Sequence, residues 1–564
     1  MLSVLIALSS FTPQESPKAP SAVLEIVPLQ HLTALQVPIA PPPWGTLLTA
    51  GYEEYAHDLI HCSREGQWFD TDAICEMLSR LHTEDIDNDR LSIHVQEDAL
   101  RVFGEAQAVQ KVTRDVREVG DLLTRPIEVE VTVWQAGDLT DVAAVNTPAD
   151  YGRMVANLQP LWRSVRSTHS NGVAAHDRQR WVRYVRDVDT EVAQKAKIAL
   201  PVTDAFCDGG RVVVVPHSLA SGDDLVLHVQ FGFGVPRGSV RTVPSGLQDA
   251  PELDLPTLAT TFGAFSGRIQ NGGALAVLAT GDESCGERLL LTVRATASTP
   301  PNDPQLNDLA AFPTSALTNA ALLMRMTPPS PYPALGDQTA RTMELSDEDQ
   351  TYTRFEPDEL LELLRTSLGE LADTDDFSMD IAGGFLFVHA PRTTITIVGD
   401  LLRGLESRLL RNVQVRHFGT IDQGRGSAPL HELVAPSLLG RELIVVRLLE
   451  TSFVRELQAE IAQESSTLEP QLETAQSGTW LRLRAANPSG ETHVDMLAQT
   501  VHVRALRPRN VNPGGLLMPN DVSSCRCLHD GKAVNGKVID HGDGPIVTLG
   551  DTPLRTTLST IVKW

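Results

Sequence analysis

No stretch of this sequence stays apolar for the roughly 18 residues that a membrane-spanning helix requires. Positive charge is short as well. There are 47 Lys and Arg against 72 Asp and Glu, a formal net charge of −25. That balance argues against a nucleic-acid partner, because a phosphate backbone calls for clustered cations. It also argues against docking on an anionic membrane surface. Six cysteines in 564 residues are too few for a disulfide scaffold, although the even number permits one or two bridges. Aromatic residues are sparse at 5%, and no phosphate-cradling glycine loop occurs.

What is present is length and repetition. A chain of 564 residues is long enough for three to four domains. Its first residues hold a short apolar run, Leu2 to Leu8, followed by small residues. That pattern resembles a secretory signal lacking a basic flank, and the bland alternative is a buried or irregular N-terminal strand. Residues 1–44 read as an extended leader containing Pro41-Pro42-Pro43.

From Asp72 the periodicity becomes clear. Ile74, Met77, Leu78 and Leu81 fall at helical spacing. Leu91, Ile93 and Val95, then Leu100 and Val102, alternate as a hairpin would. Val109, Val112, Val116 and Val119 mark a second helix that Arg125-Pro126 stops, and Ile127, Val129 and Val131 begin a last strand. Two helices on one side of a small sheet make an α+β mini-domain. Shifting the chain by 286 positions repeats the pattern without a gap: Asp358 matches Asp72, Leu364 matches Leu78, and Val398 and Leu402 match Val112 and Val116. His417 breaks the apolar phase where Val131 stood.

A second match extends the duplication. Tyr184 to Gln194 reads against Phe453 to Gln463, and Pro201 falls on Pro470. Downstream, Arg211 to Val215 and Leu225 to Phe231 read as strands, and Asn271-Gly272 reads as a hairpin turn closing the first β-region. The fold class is therefore α+β, in two tandem units joined by a Pro-rich linker. The expected divisions are a leader at 1–44, an α+β module at 45–136 and a β-rich, sandwich-like domain at 137–297. A linker at 298–345, a second module at 346–420 and a second β-rich domain at 421–564 follow. The linker should let the two units fold independently.

The stretch Thr351 to Phe355, the helix from Asp358, the strand Phe385-Leu386-Phe387-Val388, the helix ending Leu409-Leu410 and the strand Val413-Gln-Val415 carry a family resemblance. They resemble an N-domain of the secretins, the ring-forming channels of type II and III secretion and type IV pili. Pro126 to Val131 is similar to the strand leading into a secretin core, as Val212 to Pro216 and Asn271 to Gly273 are to later pieces of it. The resemblance implies an exported, non-enzymatic protein of the periplasm or cell envelope, acting through module docking. Its partners would be proteins or further copies of itself, bound through modules 45–136 and 346–420, with no nucleic acid. Membrane association stays open. The long amphipathic hairpins that a secretin core needs are not legible here. A different class of reading is a β-sandwich that binds glycan or peptide.

Candidate chemistry is thin, and no catalytic, cofactor or metal residue is assigned. Cys525, Cys527 and His529 would share one face of a strand, compatible with metal, with a disulfide or with free thiols. Asp85, Asp87 and Asp89 open like a calcium loop, but Arg90 and Gln96 stand where Gly and Glu are needed, which favours a solvated acidic loop. Glu191 and Glu460 recur without a partnering His or Asp, so a structural role is expected. His61-Cys62 are sequence neighbours that rarely face each other, and Phe231 and Phe233 read as strand core.

Overall fold

The computed structural model describes residues 22–29, 71–135 apart from 97–98, residues 142 and 145–298 with short breaks, 309–318, and 355–563 with short breaks. The signal-like start, Pro41 to Pro43, His61-Cys62 and most of the Pro-rich linker lie outside the described residues.

The first small module begins earlier than its sequence pattern. Strand β1 (Ala22–Pro28) comes from within the Pro-rich leader and pairs antiparallel with β3 (Ala99–Glu105), which also pairs with β2 (Leu91–Gln96). The leader is thus not wholly an unpartnered extension. Its alternating residues fit the open edge of β3, and Val23 and Val27 turn toward the core while Leu24 and Ile26 stay out. Helix α1 (Thr71–Leu81), the short α2 (Thr83–Asp87) and α3 (Ala106–Leu123) cover one face of this sheet. Ile74, Leu78, Leu81, Val109, Val112 and Val116 are buried against Ile93, Leu100 and Val102, as their spacing predicts. The His82 Nε2 to Asp115 Oδ2 contact of 3.1 Å ties the end of α1 to α3 inside that core.

The last strand of the expected mini-domain leaves it. Strand β4 (Pro126–Gln135) enters a large sheet instead. After α4 (Pro148–Val155) the chain runs through β5 (Gln159–His169), β6 (Ala174–Val192), β7 (Lys197–Ser218), β8 (Asp224–Pro236), the short pair β9 (Arg241–Val243) and β10 (Leu253–Leu255), β11 (Thr257–Gln270), β12 (Ala274–Thr280) and β13 (Leu289–Ala297).

A second small module follows. It has β14 (Leu309–Pro313), α5 (Ser315–Thr318), α6 (Pro357–Leu368), β15 (Ser378–Ala382), β16 (Phe385–His389) and α7 (Arg392–Leu409). Its sheet order, β14-β16-β15, has the same form as β1-β3-β2. Strand β14 again lies in a segment read as linker, and a 3-10 turn, Gly369–Asp373, ends α6. Then come β17 (Asn412–Asp422), β18 (Ser427–Leu438), β19 (Glu442–Ala462), β20 (Ser465–Ala486), β21 (His493–Val503), β22 (Leu506–Arg509), β23 (Leu516–Pro519), β24 (Val522–Lys532), β25 (Val538–Asp543), β26 (Val547–Leu549), β27 (Thr552–Leu554) and β28 (Thr556–Lys563).

Two eight-stranded antiparallel sheets dominate the molecule, ordered β24-β21-β20-β19-β11-β8-β7-β6 and β25-β28-β17-β18-β12-β13-β4-β5. Between them lies one core holding Val129 and Val131 of one sheet with Val212, Leu227 and Phe231 of the other, continued by Val413, Val445 and Leu483. Each such side chain, fully buried, contributes about 1.5–3 kcal/mol relative to exposure.

Three expectations change here. Strands from both sides of the linker lie side by side at β11–β19 and β12–β18, so the two parts of the chain do not fold independently. The Asn271-Gly272 turn does not close a hairpin. Gly272, at φ +81°, carries the chain from β11 in one sheet to β12 in the other, and the Asn271 side chain anchors that crossing to Ala297 at 2.8 and 3.0 Å. Long hairpins are present: β6–β7 and β19–β20 have strands of 19, 22, 21 and 22 residues. Each contains a register shift, after Val185 and after Val454. Each also has a left-handed glycine, Gly209 at φ +113° and Gly478 at +150°, where a Cβ would strike the Arg178 or Arg447 carbonyl oxygen.

Candidate functional site

The most developed contact surface joins the two small modules. Alternation along β16 would bury one side chain in two if only its own helices covered it, yet Phe385 to Val388 are all buried. Leu386 and Val388 pack with Leu360, Leu364, Val398 and Leu402 of α6 and α7. Phe385 and Phe387, with Leu309 of β14, belong instead to the core of Ile74, Leu78, Val109 and Val112. The outer face of the second sheet is therefore roofed by α1 and α3 of the first module. At its rim, Arg80 of α1 reaches Glu76 at 2.5 Å and Asp380 of β15 at 3.2 Å. Burial pushes the Asp380 carboxyl up from its ordinary range, and Arg80 opposes that rise.

The matching outer face of the first sheet has no cover among the described residues. Leu24 is 52% exposed, Ile26 60% and Phe103 50%. They are adjacent, because Leu24 pairs with Phe103 and Ile26 with Arg101. Monomeric proteins seldom leave such side chains clustered in water without a use. On the opposite flank of the second module, Leu363, Leu371 and Ile397 stand 37–41% exposed on or beside α6 and α7.

A polar junction fixes α7 to the large sheets. Glu406 is buried, and its Oε1 accepts the Ala220 N–H at 2.8 Å. Beside it, Asn412 exchanges two hydrogen bonds of 2.7 Å with the backbone of Arg268, whose guanidinium holds Asp224 at 2.5 Å. Burial raises the Glu406 carboxyl to about 7, against the lowering effects of the Ala220 N–H and Arg268. A carboxyl with a raised folded-state pKa contributes stability that is complete below its unfolded value and lost as pH climbs through about 7. Glu406→Gln is therefore expected to gain on the wild type by on the order of 1–3 kcal/mol between pH 5 and pH 8. Urea melts at both pH values measure this, and a pH-independent difference would contradict it.

The remaining sequence candidates are scattered. Cys525, Cys527 and His529 occupy alternate positions on β24, opposite Thr500, Ala498 and Met496. Glu191 and Glu460 lie near the tips of the long hairpins, opposite Ile198 and Thr467. Asp85 belongs to α2 and pairs with Arg90 at 2.9 Å. Phe231 and Phe233 are core, their rings 6.2 Å apart. Among the described residues no group of His, Cys, Asp or Glu is spaced to hold a metal ion, and no helix is long and apolar enough to cross a membrane. Sequence reasoning missed Leu24, Ile26 and Phe103 as a surface, because β1 is recognisable only once it is paired.

No protein-family model matches the chain, and no curated protein matches it. Among solved structures, the chain is similar to the InvG secretin-domain β-barrel of the Salmonella SPI-1 injectisome at 12% identity, over 51% of this chain and 91% of that one, with a TM-score of 0.20. Aeromonas hydrophila ExeD overlaps at 10% identity over 97% and 90% of the two chains, with a TM-score of 0.19. The enterotoxigenic E. coli (ETEC) pilotin–secretin complex AspS–GspD overlaps at 8% identity over 97% and 88%, with a TM-score of 0.16. Overlap of this size is too slight to carry a function across.

Proposed function

We propose that this chain is a non-enzymatic, secretin-like assembly protein of the cell envelope, built from two tandem units and self-associating through its small α+β modules. The tandem reading is supported by detail that chance would not repeat. The hairpin bulges after Val185 and Val454 and the glycines Gly209 and Gly478 are both 269 positions apart, the spacing of the sequence match that begins at Tyr184 and Phe453. Bulges of this kind are built features of a sheet.

One observation carries the docking reading. The covered face of the second module and the bare face of the first are counterparts. Leu309 takes the ladder place of Leu24, and Phe387 that of Arg101. One is roofed by helices within the chain, and the other presents Leu24, Ile26 and Phe103 to solvent. The α6–α7 flank of another copy, with Leu363 and Ile397, fits that bare face as α1 and α3 fit the covered one. Because donor and acceptor faces differ, the contact is head to tail and can repeat.

Size-exclusion chromatography with light scattering tests this. The wild type is expected to self-associate with concentration. The double variant Leu24→Glu/Phe103→Glu is expected to weaken association at least tenfold while keeping its melting temperature, since both side chains are half exposed. A wild type that stays monomeric at every concentration overturns the assembly reading. Undiminished association of the double variant removes this face from it.

A further inference from the structure

The geometry points to an acid-released clasp at one end of the second large sheet. Strand β25 is held while the imidazoles of His417, His431 and His541 are neutral, and it is let go when a proton enters that cluster. The inference involves none of the module residues and stands whether or not copies associate. In this sheet Val131 pairs with Val293, both fully buried, whereas His417 pairs with Thr560, also fully buried. A polar pair thus occupies a ladder position of the kind that elsewhere is apolar. His417 Nδ1 lies 2.9 Å from the Thr560 hydroxyl, and His541 Nε2 lies 3.0 Å from the same oxygen. That oxygen is also 3.4 Å from the Met496 sulfur, and the His431 ring is centred 5.4 Å from that of His417. One hydroxyl has one proton to give, so at least one of the two imidazoles facing it must offer an N–H.

Among the described residues the cluster holds no counter-charge. The titratable groups acting on His417 are His431 from β18 and His541 from β25, while β28 and β21 present Thr560 and Met496. The nearby carboxylates are turned elsewhere. Glu432 of β18 pairs with Arg416 at 2.5 Å, and Asp495 of β21 and Asp540 of β25 are exposed. A proton arriving here makes a buried imidazolium beside two further imidazoles, and that charge must reach water or be refused. The sheet order decides which strand yields. Strand β17 is clasped between β28 and β18, whereas β25 is an end strand paired only with β28. His541 also sits inside the register shift between Asp540 and Asp543, where the ladder is already interrupted. Swinging β25 outward carries the His541 ring into water and leaves the β17–β28 and β17–β18 ladders whole. Local openings of this kind draw on the least supported strand of a sheet.

Amide hydrogen exchange read by mass spectrometry on the full-length chain tests this, with each rate divided by its intrinsic value at the same pH. Between about pH 7.5 and about pH 5.5 the protection of β25 is expected to fall by roughly tenfold or more, while β17, β18 and β28 keep theirs. His541→Gln is expected to hold β25 protection constant over that interval. Unchanged protection of β25 in the wild type overturns the proposal, as does an equal loss across both sheets, which is ordinary acid unfolding. If His541→Gln already lacks the protection at neutral pH, His417→Val decides. It is expected to retain β25 protection in acid, and a loss as large as the wild type's overturns the clasp.

Discussion

Phe387→Ala is expected to destabilise the protein by about 3–5 kcal/mol, the range for emptying a fully buried phenylalanine site. Phe387 is 0% exposed and sits where α1 and α3 roof the second small sheet. Truncation removes packing from both modules at once, and helices held on two sides have little freedom to collapse into the gap. Phe103→Ala makes the control. Phe103 is half exposed in the isolated chain, so its loss is expected to stay within about 0.5 kcal/mol, although it lies on the corresponding face of the other module. Urea denaturation at low protein concentration compares them. Equal losses for the two variants would show that the module interface is not a cooperative part of the fold.

The second large effect concerns acid. His417 is 0% exposed in the middle of β17, at the position that falls on Val131 when the chain is shifted by 286 residues. Its ring faces His431 of β18 and His541 of β25 at centroid distances of 5.4 and 6.2 Å, and its Nδ1 lies 2.9 Å from the Thr560 hydroxyl of β28. Thr560 also contacts His541 at 3.0 Å and the Met496 sulfur of β21 at 3.4 Å. Burial first, then the neighbouring imidazoles, hold the His417 pKa well below its usual value. Its lowered folded-state pKa means that the unfolded chain takes up the proton first as pH falls. Stability is complete above about pH 6.5 and is lost below it, at about 1.4 kcal/mol per pH unit for one such group. His417→Val should flatten that decline. Wild type and variant are expected to diverge by roughly 2 kcal/mol between pH 7 and pH 5. Parallel urea-midpoint curves across that interval would falsify the assignment.

Much of the small modules is legible in the sequence because a helix against a sheet leaves a local signature. Ile74, Leu78 and Leu81 repeat at the helical period and Leu100 and Val102 at the strand period, and each is buried on that account. Strands β1 and β14 leave almost none. Each is a short segment amid prolines, and its structure comes from the open edge of a distant partner. The long hairpins were obscured for another reason. Between Trp181 and Asp189 the apolar residues of β6 are interrupted by Arg183, Arg186 and Asp187, and the bulge after Val185 shifts the alternation by one. Which strands are neighbours across the linker is not a periodic property at all. Nothing in the phase of β11 names β19. The exposed apolar face of Leu24, Ile26 and Phe103 stayed hidden with β1, while the histidine cluster announced itself only as a break in an apolar pattern.

The shared sheets also set an order of events during synthesis. Gly263 finds its ladder partner in Val445, about 180 residues later, which at roughly 5–20 residues per second takes on the order of ten seconds or more to emerge. Throughout that interval β11 has β8 on one side and β12 has β13, while the edges that β19 and β18 will cover wait for their partners. Pairing over so long a separation closes slowly, and another nascent chain nearby offers the same complementary edge. Recruitment of the wrong second half is thus the folding error to which this strand order is open, and a chaperone that shields β11 would act before any finished copy exists.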